Sequence, residues 1–246
     1  EAKYTAQEVR DARKFLEILI LFTPLPLFWA LYDQQSSRWT AQALRLQNTF
    51  SLGAGRVKIT VPPDSMQTVN AVLVLVFIPV FQRWVYPGLQ RVGVSLAPAR
   101  KIVIGMLLVA ASFLVAAVLQ YTIEAGAPKT VPIYWQVPQY VILTAGEVFF
   151  SITGLEFAYA ESPPSMKSMC QSAWQLTVAL GNLIVIVIAE SNFKPADELV
   201  FFAFLLCCAA VLFSLLSFRY QKVQSYQAVP ADDEDAEEDF ILARDS

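Results

Sequence analysis

The 246-residue chain is 56% hydrophobic and 16% charged, where a soluble domain has about 45–50% and about 25%. Together with a mean hydropathy of +0.47, this excludes a disordered chain, a nucleic-acid binder and an ordinary cytosolic domain. There is no histidine, so chemistry that requires imidazole is excluded as well. Three cysteines, with Cys207 and Cys208 adjacent, give neither a disulfide framework nor a metal-ligand spacing.

In chain order, residues 1–14 form a charged lead-in (Glu8, Arg10, Asp11, Arg13, Lys14) with no cleavage-like site. The chain opens on Glu1 rather than Met, which fits a processed product or a fragment. An α-helix crossing about 30 Å of hydrocarbon needs about 20 mostly apolar residues. Six stretches within 15–220 qualify: 15–35, 67–88, 102–122, 137–159, 168–189 and 198–219. They predict an all-α membrane protein with both termini on one side of the bilayer. The connections on that side, with the termini, carry twelve Lys and Arg against six on the other, so the positive-inside rule puts both termini in the cytoplasm. Residues 221–246 form an acidic cytoplasmic tail. Its run DDEDAEED gives the whole chain its net charge of −3, and the rest of the chain is positive. A solvated, disordered extension is the plain reading.

Ionisable groups inside a bilayer are costly and mark function by default. Glu147 stands near the centre of the fourth span, in YVILTAGEVFFSITGLEFAY. It is placed to take up and release a proton or to pair with an ammonium group; the alternative is a neutral, hydrogen-bonded core acid. Glu156 lies nine residues on, about 13 Å along the helix and on its opposite side, so the two acids form no dyad. Glu156 is expected to pair with a base near the cytoplasmic end, such as Lys167, as a gate or as a structural bridge. Glu17, one turn after Arg13, reads as half of an i,i+4 pair. Trp29 alone fits an aromatic belt or simple burial as well as a site. Trp174 falls about 7 Å to the cytoplasmic side of Glu147, where a large ring closes a cavity beneath the carboxylate. Asn70, one or two turns inside the second span, needs partners on backbone or ligand. Divided as three plus three, the first span of each triplet is the interrupted one, with Thr23, Pro24 and Pro26 in one and Thr144, Gly146, Thr153 and Gly154 in the other. Matching interruptions point to the site in repeat-built transporters.

Three blocks carry a resemblance: PLPLFWALYDQQSSRWTAQA, PPDSMQTVNAVLVLVFIPVF and WQVPQYVILTAGEVFFSITGLEFAYAESPPSMKSMCQSAWQLTVALGN. From about residue 15 to 220 the chain resembles the proton-coupled oligopeptide transporter (POT/PTR) family, in particular the animal di- and tripeptide transporters. The resemblance implies the C-terminal six-helix bundle of a major facilitator superfamily fold, a 3+3 inverted repeat, with the N-terminal bundle as its missing partner. It implies that Glu147 engages the peptide amino terminus and contributes to proton coupling, and that Asn70 contacts the peptide backbone. Trp29 then lines the pocket, and Trp174 lines it and closes its inner side. Small peptides, protons and the lipid bilayer are the implied partners. The driving force is the proton gradient with no cofactor, and the plasma membrane is the implied location.

The chain departs from the family pattern in three ways. The N-terminal half, with its ExxER-type helix, is missing. Glu17 and Gln82 stand where animal members have a basic residue and an acid, so that charge pair is lost. The connection Glu124–Tyr134 is short where animal members insert a large extracellular domain. Two rival functions remain: a non-transporting interaction subunit, and a related transporter for nitrate or a drug. A membrane hydrolase lacks any supporting cluster.

Overall fold

Thr5 starts the first helix. Its hydroxyl accepts from the Glu8 amide at 3.2 Å while the Glu8 carboxylate accepts from the Thr5 amide at 2.7 Å, a reciprocal cap that satisfies two free donors. A computed structural model describes residues 4–52, 57–93, 97–127, 129–189 and 194–227. Helix α1 (Ala6–Phe22) ends at Thr23, and α2 (Leu25–Tyr32) follows with Pro24 and Pro26 at its start. Proline donates no backbone hydrogen bond and crowds the preceding turn, so the chain bends by 44° between Ala6–Phe22 and Leu25–Arg45. A 3₁₀ turn at Asp33–Ser36 leads to α3 (Arg38–Arg45). The first span is therefore a bent, longer unit than 15–35, and the expected lead-in is helical from Ala6 onward.

A two-stranded antiparallel hairpin, β1 (Thr49–Leu52) and β2 (Val57–Thr60), follows in the register Thr49↔Thr60 to Leu52↔Val57. The end of the molecule that carries it is called the hairpin end below, and the opposite one the terminal end. The second span runs as α4 (Met66–Val80), a wide π turn at Phe81–Val85 and α5 (Tyr86–Arg91). The π turn comes directly after Pro79. The third is the unbroken α6 (Pro98–Ala125). The fourth begins with a 3₁₀ turn at Ile133–Gln136 and runs as α7 (Val137–Glu147), a second π turn at Val148–Ile152 and α8 (Thr153–Glu161). The fifth is α9 (Lys167–Ala189) and the sixth α10 (Pro195–Gln227). Five of these spans are long and apolar enough to cross a membrane, and six with the bent first pair. The chain is a multi-pass membrane protein. Most of the tail, residues 228–246, lies outside the described residues.

Helix α6 is the hub, with 56% of its span window buried against 11% for the span Pro63–Arg91. It packs on α10, α7 and the π turn after Glu147. Close approach to α7 requires two glycines: a Cβ on Gly105 would meet the Gly146 carbonyl oxygen at 2.7 Å, and one on Gly146 would meet the Gly105 carbonyl oxygen at 2.8 Å. Small residues at helix crossings let membrane helices approach backbone to backbone. Leu75, Val118, Ile186, Phe204 and Phe218 are exposed on the outer faces, as expected of surfaces solvated by lipid rather than water.

Polar bonds tie the hairpin end together. The Arg38 guanidinium lies 2.8 Å from the buried Glu198 carboxylate. Buried Gln42 donates to the Ala116 carbonyl at 2.9 Å and accepts from Gln136 and Gln139 at 3.1 and 3.2 Å. These bonds hold α3 on α6, α7 and α10.

Candidate functional site

Glu147 closes α7, directly before the π turn Val148–Ile152. Such a turn inserts one residue into the helical ladder and often marks a functional position. Three helices converge on its carboxylate. Tyr32, the last residue of α2, donates its hydroxyl to Glu147 Oε1 at 2.7 Å. Asn70 of α4 donates from Nδ2 to Glu147 Oε2 and to the Tyr32 hydroxyl oxygen, both at 3.2 Å. Thr144, one turn before Glu147, donates to Asn70 Oδ1 at 2.5 Å. Each carboxylate oxygen has two acceptor sites, so both keep a free lone pair after these bonds. Glu147, Tyr32 and Trp29 are half-buried, whereas Asn70 and Trp174 are buried. The carboxylate is thus held by neutral donors, with room for one more donor on its open side.

Aromatic rings wall the terminal side of this cluster. Phe150, one turn beyond Glu147, stacks on Phe28 and packs against Trp29 and Trp174 at centroid distances of 5.8 and 5.6 Å. Trp29 meets Trp174 edge-on at 6.2 Å, and its indole N–H donates to Thr177 at 3.1 Å. Thr177 in turn donates to the Trp174 carbonyl at 2.7 Å, so α9 fixes both indoles. Gly154 is the seat of Trp174: a Cβ there would stand 2.2 Å from the ring. The matching interruptions of the first and fourth spans are therefore a bend that turns Tyr32 toward Glu147, and a π turn with a glycine that admits Trp174.

The structure brings Glu147, Asn70, Trp29 and Trp174 into one site, with Trp174 displaced from the carboxylate toward the terminal end. Sequence reasoning missed Tyr32, Phe150 and Thr177 as members of the site, and noted Thr144 only as an interruption. Tyr32 falls one turn after Trp29, a spacing that could have flagged it. The expected pairing of Glu156 with Lys167 is corrected. No ion pair joins them among the described residues: Glu156 is exposed, and Lys167 lies over the Tyr159 ring at 4.1 Å. The ion pair across the terminal end is instead Lys14–Glu161 at 3.8 Å. This occurs because α1 continues N-terminally past residue 15 and brings Lys14 to the end of α8. Glu17 pairs with Arg13 at 3.7 Å, as the i,i+4 spacing predicts. Gln82 is exposed in the first π turn. The second span is interrupted as well, so the three-plus-three pattern of breaks is less selective than the sequence suggests. Among the described residues, no group of three acidic or cysteine side chains could hold a metal. A groove of about 890 Å³ lies apart from this site, between the start of α1 and the α8–α9 connection.

The family model described as "POT family" matches residues 1–198. The chain belongs to the POT family. Among its relatives, zebrafish (Danio rerio) solute carrier family 15 member 2 is 24% identical, covering 92% of this chain and 58% of its own length. Peptide transporter family 1 of Drosophila melanogaster is 25% identical, over 95% of this chain and 57% of its own. Human solute carrier family 15 member 1 reaches 36% over 132 residues, 54% of this chain and 17% of its own. Among solved structures, the POT family transporter PepTSo superposes with a TM-score of 0.80 at 32% identity, over 89% of this chain and 44% of that one. A proton dependent oligopeptide (POT) family transporter gives 0.68 at 30%, over 87% and 44%. The fold is thus that of a major facilitator half-bundle, and the chain spans little more than half the length of the relatives it matches. The alignment with the zebrafish protein stretches over 422 positions for a chain of 246 residues. That relative therefore carries long segments, within the aligned region, that this chain lacks. The relatives are transporters by name, which removes the hydrolase reading.

Proposed function

We propose that the chain is the C-terminal half of a proton-driven symporter of di- and tripeptides, working as a major facilitator with an N-terminal six-helix bundle. The observation that carries this is the Glu147 carboxylate, held midway along the fourth span by the Tyr32 hydroxyl and the Asn70 amide with open acceptor capacity beside an aromatic wall. A peptide offers the complementary chemistry: an ammonium group for the carboxylate, backbone amides for Asn70, and side chains for Trp29 and Trp174. A dipeptide is a small zwitterion, and burying its ammonium group requires a charged partner. Glu147 supplies that partner when ionised, and symport requires that the proton it gives up as the ammonium group docks stays within the complex until both are released. Trp174 bounds the pocket toward the cytoplasm, and the fourth span carries both the carboxylate and the ring's glycine seat. Translocation follows from rocking of the two halves about this mid-membrane site. The greater number of basic residues on the side of the termini favours a cytoplasmic location for both ends. The plasma membrane is the proposed location.

The test is Glu147→Gln in the complete transporter, with dipeptide uptake measured under an inward proton gradient alongside surface expression. The substitution keeps the shape and removes the titrating group. Uptake driven by the gradient is lost and surface expression persists. Uptake at the wild-type rate with the wild-type pH dependence rules out the role.

A further inference from the structure

Thr144 Oγ1 lies 2.5 Å from Asn70 Oδ1 and 2.8 Å from the Tyr140 carbonyl oxygen, yet a hydroxyl has one proton to donate. Two acceptors compete for it. At the other end of the same amide, Asn70 Nδ2 spends its two protons on the Tyr32 oxygen and Glu147 Oε2, while Tyr32 donates to Oε1. With the Thr144 proton on Asn70, every donor in the cluster has an acceptor, and each Glu147 oxygen keeps one lone pair free. The pattern suits an ionised Glu147, which accepts and does not donate.

A proton on the Oε2 lone pair that points at Asn70 breaks this pattern, because the new O–H faces the Asn70 N–H donor to donor. One rearrangement restores it without moving a helix. The Asn70 amide turns by about 180°, exchanging two groups of nearly equal size. Its Oδ1 then accepts from Glu147 and from the Tyr32 hydroxyl, which turns its proton away from Oε1, its Nδ2 donates to Thr144 Oγ1, and Thr144 turns its own proton to the Tyr140 carbonyl oxygen. The proton comes from hydronium, which leaves as water, and the new Oε2–H bond is the sole covalent change.

We propose that Thr144 is a positioning residue for proton coupling: a hydroxyl rotor with two acceptors that lets the Asn70 amide follow the protonation state of Glu147. The inference rests on Glu147 being the proton site. It accounts for a threonine with both acceptors in reach, and it keeps α4 bonded to α7 in both states with the direction of the bonds reversed. The surroundings leave this switch to the cluster itself. Helices α2 and α4 carry no charged residue, and α6 carries Arg100, Lys101 and Glu124 at its two ends, with Gly105 and Val109 against Gly146. Helix α9 turns Trp174 and Thr177 toward the aromatic wall, with its one charge, Lys167, at the terminal end. Tyr32 is the titratable group that touches Glu147 among the described residues.

The test compares Thr144→Val and Thr144→Ser in the complete transporter, reading the pH profile of gradient-driven dipeptide uptake beside gradient-free peptide exchange. Valine keeps the shape and leaves the turned Asn70 N–H without an acceptor. A buried unpaired N–H costs more than an under-used carbonyl. Half-maximal uptake therefore moves toward acid by about one pH unit, a tenfold change in proton concentration. Serine keeps the rotor and the wild-type midpoint. Infrared pH-difference spectra of protein with isotope-labelled asparagine give a second reading that does not depend on transport. The Asn70 carbonyl band moves together with the Glu147 carboxyl band in wild type, and stays still in Thr144→Val. The inference is overturned by a valine variant with the wild-type midpoint, by equal shifts in valine and serine, or by an Asn70 band indifferent to pH. Glu147→Gln separates the two claims: if it retains gradient-driven uptake, the function proposed for Glu147 falls, whatever Thr144 does.

Discussion

Glu147 is held by hydrogen bonds from neutral groups, with no ion pair to it among the described residues, and this determines its chemistry. A buried carboxylate fixed by arginine stays charged and closed to ligands. One held by a phenol and an amide is oriented yet free to exchange a proton for an ammonium group. Tyr32 is the stronger of the two holders, at 2.7 Å against 3.2 Å for Asn70. A hydrogen bond to a charged group contributes about 1.5–3 kcal/mol. Tyr32→Phe removes that donor and keeps the ring. Dipeptide affinity in the complete transporter is expected to fall by roughly tenfold, since about 1.4 kcal/mol is a factor of ten. Unchanged uptake kinetics in Tyr32→Phe show that the hydroxyl does not orient the carboxylate. The exposed Lys14–Glu161 pair is of a different kind. At 3.8 Å, with both side chains about one-third exposed, it is worth at most about 1 kcal/mol.

The elements that build the site are the irregular ones. The bend at Thr23–Pro24 and the π turn after Glu147 turn the two side chains toward each other. Against them α6 is straight and enclosed, and Gly105 and Gly146 set how closely α7 can approach it. Each faces the other's carbonyl together with a short, stiff side-chain atom, Phe150 Cβ or Val109 Cγ2, so Gly146→Val has no low-energy adjustment. Overpacking of this kind costs about 1–3 kcal/mol. The expected outcome is a complete transporter that extracts from membranes with a lower thermal stability in detergent than wild type. Equal thermal stability means that α6 and α7 are not in backbone contact. The six spans could be read from the sequence because apolar length is a local property, and Glu147 because a carboxyl group amid apolar residues is conspicuous. The Glu156–Lys167 pairing failed because a charge at a helix end has several partners within reach. Lys14 was placed in the lead-in rather than on a helix, so its approach to Glu161 was not visible. Tyr32 was missed because a tyrosine next to Asp33 near a span end resembles an interface anchor, and its contact with Glu147 depends on a bend whose direction the prolines do not specify. The hairpin β1–β2 was absent from the expectation because its four-residue strands give too short a period-2 signal.

At the scale of the whole molecule, the site is a wall. Glu147, Trp29 and Tyr32 are half-buried, and the span Pro63–Arg91, which carries Asn70, is the least enclosed of the second to sixth spans. The solved POT transporters superpose on this chain over 44% of their own length. On this account the half-bundle recognises one terminus of its substrate, the amino terminus, and takes up the proton at the same carboxylate.

The most direct measurement is the structure of the complete transporter with a dipeptide bound. The account predicts the peptide amino nitrogen within hydrogen-bond distance of a Glu147 oxygen, about 2.7–3.2 Å, with Asn70 on the peptide backbone and Trp29 and Trp174 against its side chains. A peptide whose amino group lies on the other bundle, with Glu147 bonded to Tyr32 and Asn70 and touching no ligand, contradicts it.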